Sequence, residues 1–216
     1  MKVIQNVENY AMEILKHMEQ GNPIVVPTDT NYNLACIPDS VKAIDKVYSY
    51  KERGKNKPLS LFFLQREDWE RYGQVQNKRI MNILVNQYWP GPLNIVMSKV
   101  SNNFDYMLNN SNSIALGCIR NKTWRNFLKC IGKPAVALTS ANISGTISDE
   151  IVTKEIALKQ MGDRVSYMIE SEDPVDATRS SSIIMIEKHG IQVLRDGDIS
   201  KEELSEVLTR EGFYVH

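Results

Sequence analysis

Short runs of branched and aromatic residues alternate along this chain with amphipathic helical stripes, and that alternation confines it to an α/β layer architecture. Residues 7–20 place Tyr10, Ala11, Ile14, Leu15 and Met18 on one helical face, with Gly21 as the stop. Ile24-Val25-Val26 reads as a buried strand ended by Pro27. A second helix starts near Ser40, with Val41, Ile44, Val47 and Tyr48 as its apolar stripe. The polar run from Lys51 to Pro58 reads as a loop, in which substitutions leave folding intact, and it leads into a strand at 59–64. A helix over 78–88 is broken by Trp89-Pro90-Gly91-Pro92, with Tyr88 and Trp89 read as core or wall, and a strand follows at 93–97. The pattern continues with strands at 114–119 and 135–138 around a helix at 124–131, then a helix at 153–161. Strands at 165–169 and 182–187 come next, and Lys188-His189-Gly190 turns the chain into a strand at 191–194. Ser200 caps a final helix, with Glu203 at the capping-box position. No repeat, low-complexity segment or linker interrupts the series. The 216 residues therefore read as one α/β domain, 1–216, with a mixed sheet and flanking helices.

Composition narrows the chemistry. Lys and Arg number 26, as do Asp and Glu, so whole-protein charge gives no attraction to nucleic acid or membrane. Apolar runs such as 61–64 are too short to span a bilayer, and Met1 to Asn6 lacks the apolar core of a signal peptide. The expectation is a cytoplasmic protein. Cys36, Cys118 and Cys130 show no paired spacing, against a disulfide framework or a Cys-rich metal site. His17, His189 and His216 are scattered, and the first two read as surface residues. Without a histidine base, a cysteine nucleophile or zinc, chemistry falls to Lys, Arg, Thr, Ser and Asn.

Those residues collect at four places. Pro27-Thr28-Asp29-Thr30-Asn31-Tyr32 follows a buried strand, where open α/β sheets bind ligands, although the same residues suit a capped turn. Lys51-x-Arg53, with Lys55 and Lys57 behind, suits a triphosphate or carboxylate, or else is a solvated charged loop. Small and hydroxyl side chains fill Ala137 to Gly145, letting a ligand approach the backbone. The fourth is Arg179-Ser180-Ser181-Ser182 with the later Leu194-Arg195-Asp196-Gly197. No dinucleotide fingerprint or Walker loop is present.

In order and spacing these segments resemble the YrdC/TsaC family. The resemblance rests on Pro27-Thr28-Asp29-Thr30-x-Tyr32, Lys51-x-Arg53 with Lys57-Pro58-Leu59, and Trp89-Pro90-Gly91-Pro92-Leu93. Ser140-Ala141-Asn142-x-Ser144-Gly145 and Leu194-Arg195-x-Gly197 complete it, so it runs from about Pro23 to Gly197. It implies a twisted sheet around a concave cavity. It further implies an enzyme that joins L-threonine, bicarbonate and ATP into threonylcarbamoyl-AMP and releases pyrophosphate, with Mg²⁺ accompanying the nucleotide. The product would pass to a tRNA-modifying transferase complex. By the same resemblance Lys51 and Arg53 are the catalytic pair, holding ATP phosphates and neutralising charge that develops at the α-phosphorus, and Thr28, Thr30 and Tyr32 shape the amino-acid and bicarbonate pocket. Ser140 and Asn142 position the nucleotide and carbamate, while Ser181 or Ser182 and Arg195 close the nucleotide side.

The chain departs from the family pattern at four positions. The family continues Tyr-Gly-Leu-Gly where this chain has Tyr32-Asn33-Leu34-Ala35, and Gly117 stands where a strand-end Arg binds phosphate. Asn94 replaces a Thr and Met185 an Asp. Arg120 is the candidate substitute for the missing cation, and Gly117→Arg is expected to raise ATP affinity. Two rivals follow. One is a paralogue forming a carbamoyl-adenylate on another amino acid or amine. The other is a non-catalytic RNA-binding or ribosome-assembly module, binding RNA weakly through the basic loop from Lys51 to Lys57.

Overall fold

The computed structural model describes residues 1–147, 151–174 and 177–216. In the first half, β1 (Lys2–Ile4), α1 (Ala11–Glu19), β2 (Ile24–Pro27) and β3 (Tyr32–Cys36) are followed by α2 (Val41–Lys51) and β4 (Ser60–Phe63). Next come β5 (Gly73–Gln74), α3 (Lys78–Tyr88), β6 (Leu93–Lys99) and β7 (Ser113–Gly117). The second half runs α4 (Lys122–Cys130), β8 (Ala135–Ser140), α5 (Lys154–Met161) and β9 (Tyr167–Ile169). It ends with β10 (Ser182–Ile186), β11 (Gly190–Arg195), α6 (Lys201–Thr209) and β12 (Tyr214–Val215).

All the strands join one twelve-stranded mixed sheet in the order β1-β9-β2-β3-β8-β4-β7-β6-β10-β11-β12, with β5 paired to β6. Its central strands are the most apolar. Leu34, Leu61, Phe63, Leu116 and Ala137 are fully buried, as expected for strands covered on both faces. The helices begin where side chains can satisfy their first amides. Ser40 Oγ accepts from Ala43 N, Asn77 Oδ1 from Arg79 N and Ile80 N, and Thr153 Oγ1 from Ile156 N. Ser200 Oγ accepts from Glu203 N, as its position predicts. Trp89 is buried in the core against Phe63 and donates from Nε1 to Leu93 O at 2.7 Å, which makes it core and not wall.

Four strands go beyond the sequence reading, among them the two-residue β5. β1 and β12 are short edge strands, and β3 was read as part of a loop motif. His17 is partly covered, edge-on to Tyr167 with ring centres 4.8 Å apart, and so is less of a surface residue than expected. No helix among the described residues is long and apolar enough to cross a membrane.

Candidate active site

Period-two alternation on β3, β8, β4, β7, β6 and β10 turns one side chain in two towards a shared concave face. A cavity of about 410 Å³ opens on that face. Phe62, Leu138, Val96 and Ile183 give its floor apolar surface, while Asn33, Ser140, Asn94 and Ser113 add polar groups to it. The walls come from the loops at the strand ends, where the sequence motifs lie.

The segment after β2 is both a capped turn and a wall. Thr28 Oγ1 donates to Asn31 O at 2.7 Å and accepts from Asn31 N at 3.1 Å, closing the turn on itself. That turn presents Thr28, Asp29, Thr30 and Asn31 to the cavity. Thr30 Oγ1 meets Ser181 Oγ at 3.0 Å, and Asn31 Nδ2 donates to Ser180 Oγ at 3.0 Å. Asp29 accepts from Arg120 N at 3.0 Å and Asn121 N at 2.7 Å, at the entry to α4. Burial raises its carboxyl pKa, opposed by these two amides. Tyr32 does not line the cavity. It is buried, and its hydroxyl accepts from Ser171 N at 3.1 Å.

Lys51 corrects the loop expectation. It is the last residue of α2 and only 1% exposed, so it is not a solvated loop residue. Its Nζ donates to Asn142 O at 2.7 Å and also engages Ser140 O. Longer contacts, both 3.3 Å, reach Ser140 Oγ and Asn142 Oδ1. The amine therefore lies one layer behind the cavity, holding the Ser140–Asn142 turn that lines it. Burial, with the Arg53 charge nearby, pushes Lys51 down to about 7.

Arg53 does line the cavity. Its Nη1 donates to Thr139 Oγ1 at 3.1 Å, Nε to Lys57 O at 3.1 Å and Nη2 to Pro58 O at 3.0 Å. These bonds fix the plane of the guanidinium before any ligand arrives. Lys55 pairs with Asp45 at 2.6 Å and donates to Tyr106 Oη at 2.9 Å. Three of the four cations from Lys51 to Lys57 are thus engaged within the protein, which weakens this loop as an RNA footprint.

On the far wall Ser181 and Arg195 line the cavity, and Arg195 Nε donates to Ser181 O at 2.8 Å. Gly197 is where this wall demands a glycine, since a Cβ there would lie 2.2 Å from Ser180 O. Ser182 is fully buried and faces the other way. Its hydroxyl donates to Ile199 O and accepts from Ile199 N at 3.0 Å and Gly197 N at 3.2 Å. Of the ten candidate residues, the cavity brings together Thr28, Thr30, Arg53, Ser140, Asn142, Ser181 and Arg195, and leaves out Tyr32, Lys51 and Ser182.

The charged side chains on the wall, among the described residues, are Arg53, Arg195 and Asp29, a net positive lining suited to an anion. Asp29, Asn31 and Ser180 carry no assigned role in the sequence reading. They lie inside the motifs, but their partners are some 90 to 150 positions away, so no local pattern gives them a role. Arg120 is exposed and absent from the wall. At Gly117 a Cβ would meet Phe62 Cε1 at 2.4 Å and Asn94 Oδ1 at 2.7 Å, so neighbouring side chains fill that space. Burial pushes Cys36 up to about 12 and Cys118 to about 11, so neither supplies a thiolate at neutral pH. No cluster of three potential metal ligands occurs among the described residues.

Comparison with known proteins identifies the family and the fold. Residues 16–197 match the Sua5/YciO/YrdC family model, described as "Telomere recombination". A protein of Methanocaldococcus jannaschii named putative threonylcarbamoyl-AMP synthase is 29% identical over 194 residues, covering 88% of this chain and 86% of its own. Among solved structures, P. abyssi Sua5 complexed with L-threonine superposes with a TM-score of 0.84 at 19% identity. It covers 99% of this chain, which spans 61% of the length of that Sua5. E. coli YciO superposes with a TM-score of 0.75 at 16% identity, covering 90% of this chain and 93% of its own. With a family model spanning most of its length and the same fold in two solved relatives, the chain belongs to the Sua5/YciO/YrdC family.

Proposed function

We propose that this protein is a nucleotidyltransferase that converts L-threonine, bicarbonate and ATP into threonylcarbamoyl-AMP, losing water as the amine and bicarbonate form the carbamate and releasing pyrophosphate as the carbamate takes the AMP. One observation carries the reading: two hydrogen-bonded guanidinium groups and a ring of hydroxyls and amides line one concave cavity. The relatives' names and the threonine bound to a protein of the same fold support it. Arg53 and Arg195 hold the phosphates, and Arg53 offsets charge growing at the α-phosphorus as the carbamate oxygen attacks and pyrophosphate leaves. Because its hydrogen bonds already fix it, little reorganisation is needed in the transition state. Ser140, Asn142, Thr30 and Ser181 orient the partners, so the gain comes chiefly from alignment. Lys51 acts from behind the wall by holding Ser140 and Asn142 in place.

Asp29 is the one carboxylate on the described wall, and its oxygens already accept main-chain amides. A protein-built magnesium cage does not fit that donor set. ATP is accordingly taken as its Mg²⁺ complex, the ion held largely by phosphates and water. The product is consumed by a tRNA-modifying transferase complex. A second reading, a paralogue acting on another amine, is favoured by the filled space at Gly117 and by Asn33 on the cavity floor.

The test is pyrophosphate release with each component omitted in turn, first with threonine and then with a panel of amino acids. Release that requires threonine and bicarbonate supports the main reading. Release with another amine alone supports the paralogue, and hydrolysis to ADP and phosphate overturns both.

A further inference from the structure

Asn33 sits on the cavity floor in β3, in register with Val26 of β2 and Ser140 of β8. Its Oδ1 is buried and has no hydrogen-bond partner among the described residues. The other two asparagine amides drawn from the neighbouring motifs behave differently. Asn31 bonds to Ser180 and Val152, and Asn142 to Lys51 and Ile143. Tyr88 Oη and Trp124 Nε1 are likewise buried without hydrogen-bond partners among the described residues, but neither residue borders the cavity.

Asparagine is a poor strand former, and its unpaired carbonyl contributes no bond to the fold. Leaving such a group buried and unmet is costly, and filling it with an apolar side chain of like shape is neutral or stabilising. A floor position facing a ligand cavity is where that cost is recovered on binding.

We propose that the Asn33 amide reads the bound substrate: its carbonyl, unpaired in the free protein, turns from the floor to accept a hydrogen bond from a ligand N–H or O–H. The inference rests on the adenylate-forming reading above. Two sources carry such a donor. One is the acceptor amino acid, through its ammonium or side-chain hydroxyl. The other is the nucleoside, through a ribose hydroxyl or the exocyclic amine. In either case Asn33 is a specificity residue, selecting ligands that bring a donor to this point of the floor.

The experiment titrates ATP and L-threonine separately into wild type, Asn33→Leu and Asn33→Asp, with thermal melts of all three. Asn33→Leu should melt at the wild-type temperature or above it, while binding one of the two ligands roughly tenfold or more weakly. The ligand affected identifies the source of the donor. Asn33→Asp keeps an acceptor oxygen in place and should recover part of the loss if the donor is the threonine ammonium. Unchanged affinity of Asn33→Leu for both ligands, beside a wild type that binds them, overturns this inference alone. A wild type that binds neither ligand overturns the functional reading and this inference with it.

Discussion

Thr30 Oγ1 and Ser181 Oγ lie 3.0 Å apart, so residues separated by 151 positions meet across the mouth of one cavity. With the Asn31–Ser180 bond beside it, this contact joins the turn after β2 to the segment entering β10. The pair leaves Ser181 at the cavity and directs its neighbour Ser182 into the interior. Adjacent serines thereby take separate tasks.

Ser182→Ala is expected to lower stability by about 1–3 kcal/mol, because the Gly197 and Ile199 amides lose a buried partner. ATP affinity of the folded protein should stay at the wild-type level. Ser181→Ala should do the reverse, weakening ATP binding with little change in stability. Urea unfolding and calorimetric titration of the two variants check the split.

The Lys51 amine makes stability depend on pH in a definite direction. Between about 7 and its ordinary value of 10.5, the unfolded chain binds a proton there that the native protein does not. Stability should therefore rise with pH across that window, and below about 7 the contribution to the slope vanishes. The difference in unfolding free energy between wild type and Lys51→Met should move in favour of wild type from pH 7 to 9.5. A constant difference would show that Lys51 titrates normally. If ATP phosphates approach this amine, binding at pH 8 should take up a proton, read as a buffer-dependent enthalpy that Lys51→Met abolishes.

Arg53→Lys should lower ATP affinity nearly as far as Arg53→Ala, roughly tenfold or more in each case. A lysine ammonium cannot reproduce the three directed bonds to Thr139, Lys57 and Pro58 that fix the guanidinium. Calorimetric titration decides it, and full affinity in Arg53→Lys would show that only charge matters.

Gly117→Arg is expected to destabilise the protein and to leave ATP affinity unimproved, contrary to what the family pattern alone suggests. Even the first carbon of a side chain would collide with Phe62 and Asn94. Overpacking of that kind typically costs about 1–3 kcal/mol. A lower melting temperature with unchanged or weaker ATP binding is the outcome to look for. Tighter ATP binding would mean that Phe62 swings aside readily.

The α/β alternation and most of the helices were legible in the sequence, since their apolar periods are local and their caps lie within four residues. β3 was not. Tyr32 to Cys36 is short, and its Asn33 obscures the apolar run until pairing with β2 and β8 defines it. The motifs located the cavity wall, yet their members divide by the direction in which each side chain points. Thr30 and Ser181 face inward, whereas Tyr32 and Ser182 are used by the fold. Lys51 looked like a loop residue because its flanking residues are polar, and its burial arises from a turn 90 positions later.

The cavity floor draws on strands scattered from residue 33 to residue 183, and β10 enters the sheet beside β6 late in the chain. During synthesis the site cannot exist until nearly all of this domain has left the ribosome. Its formation is a late, long-range event, and one side of the cavity is missing from any fragment that stops short of β10. Ligand affinity is for that reason a direct gauge of complete folding, and a bound nucleotide would protect both halves of the chain from proteolysis together.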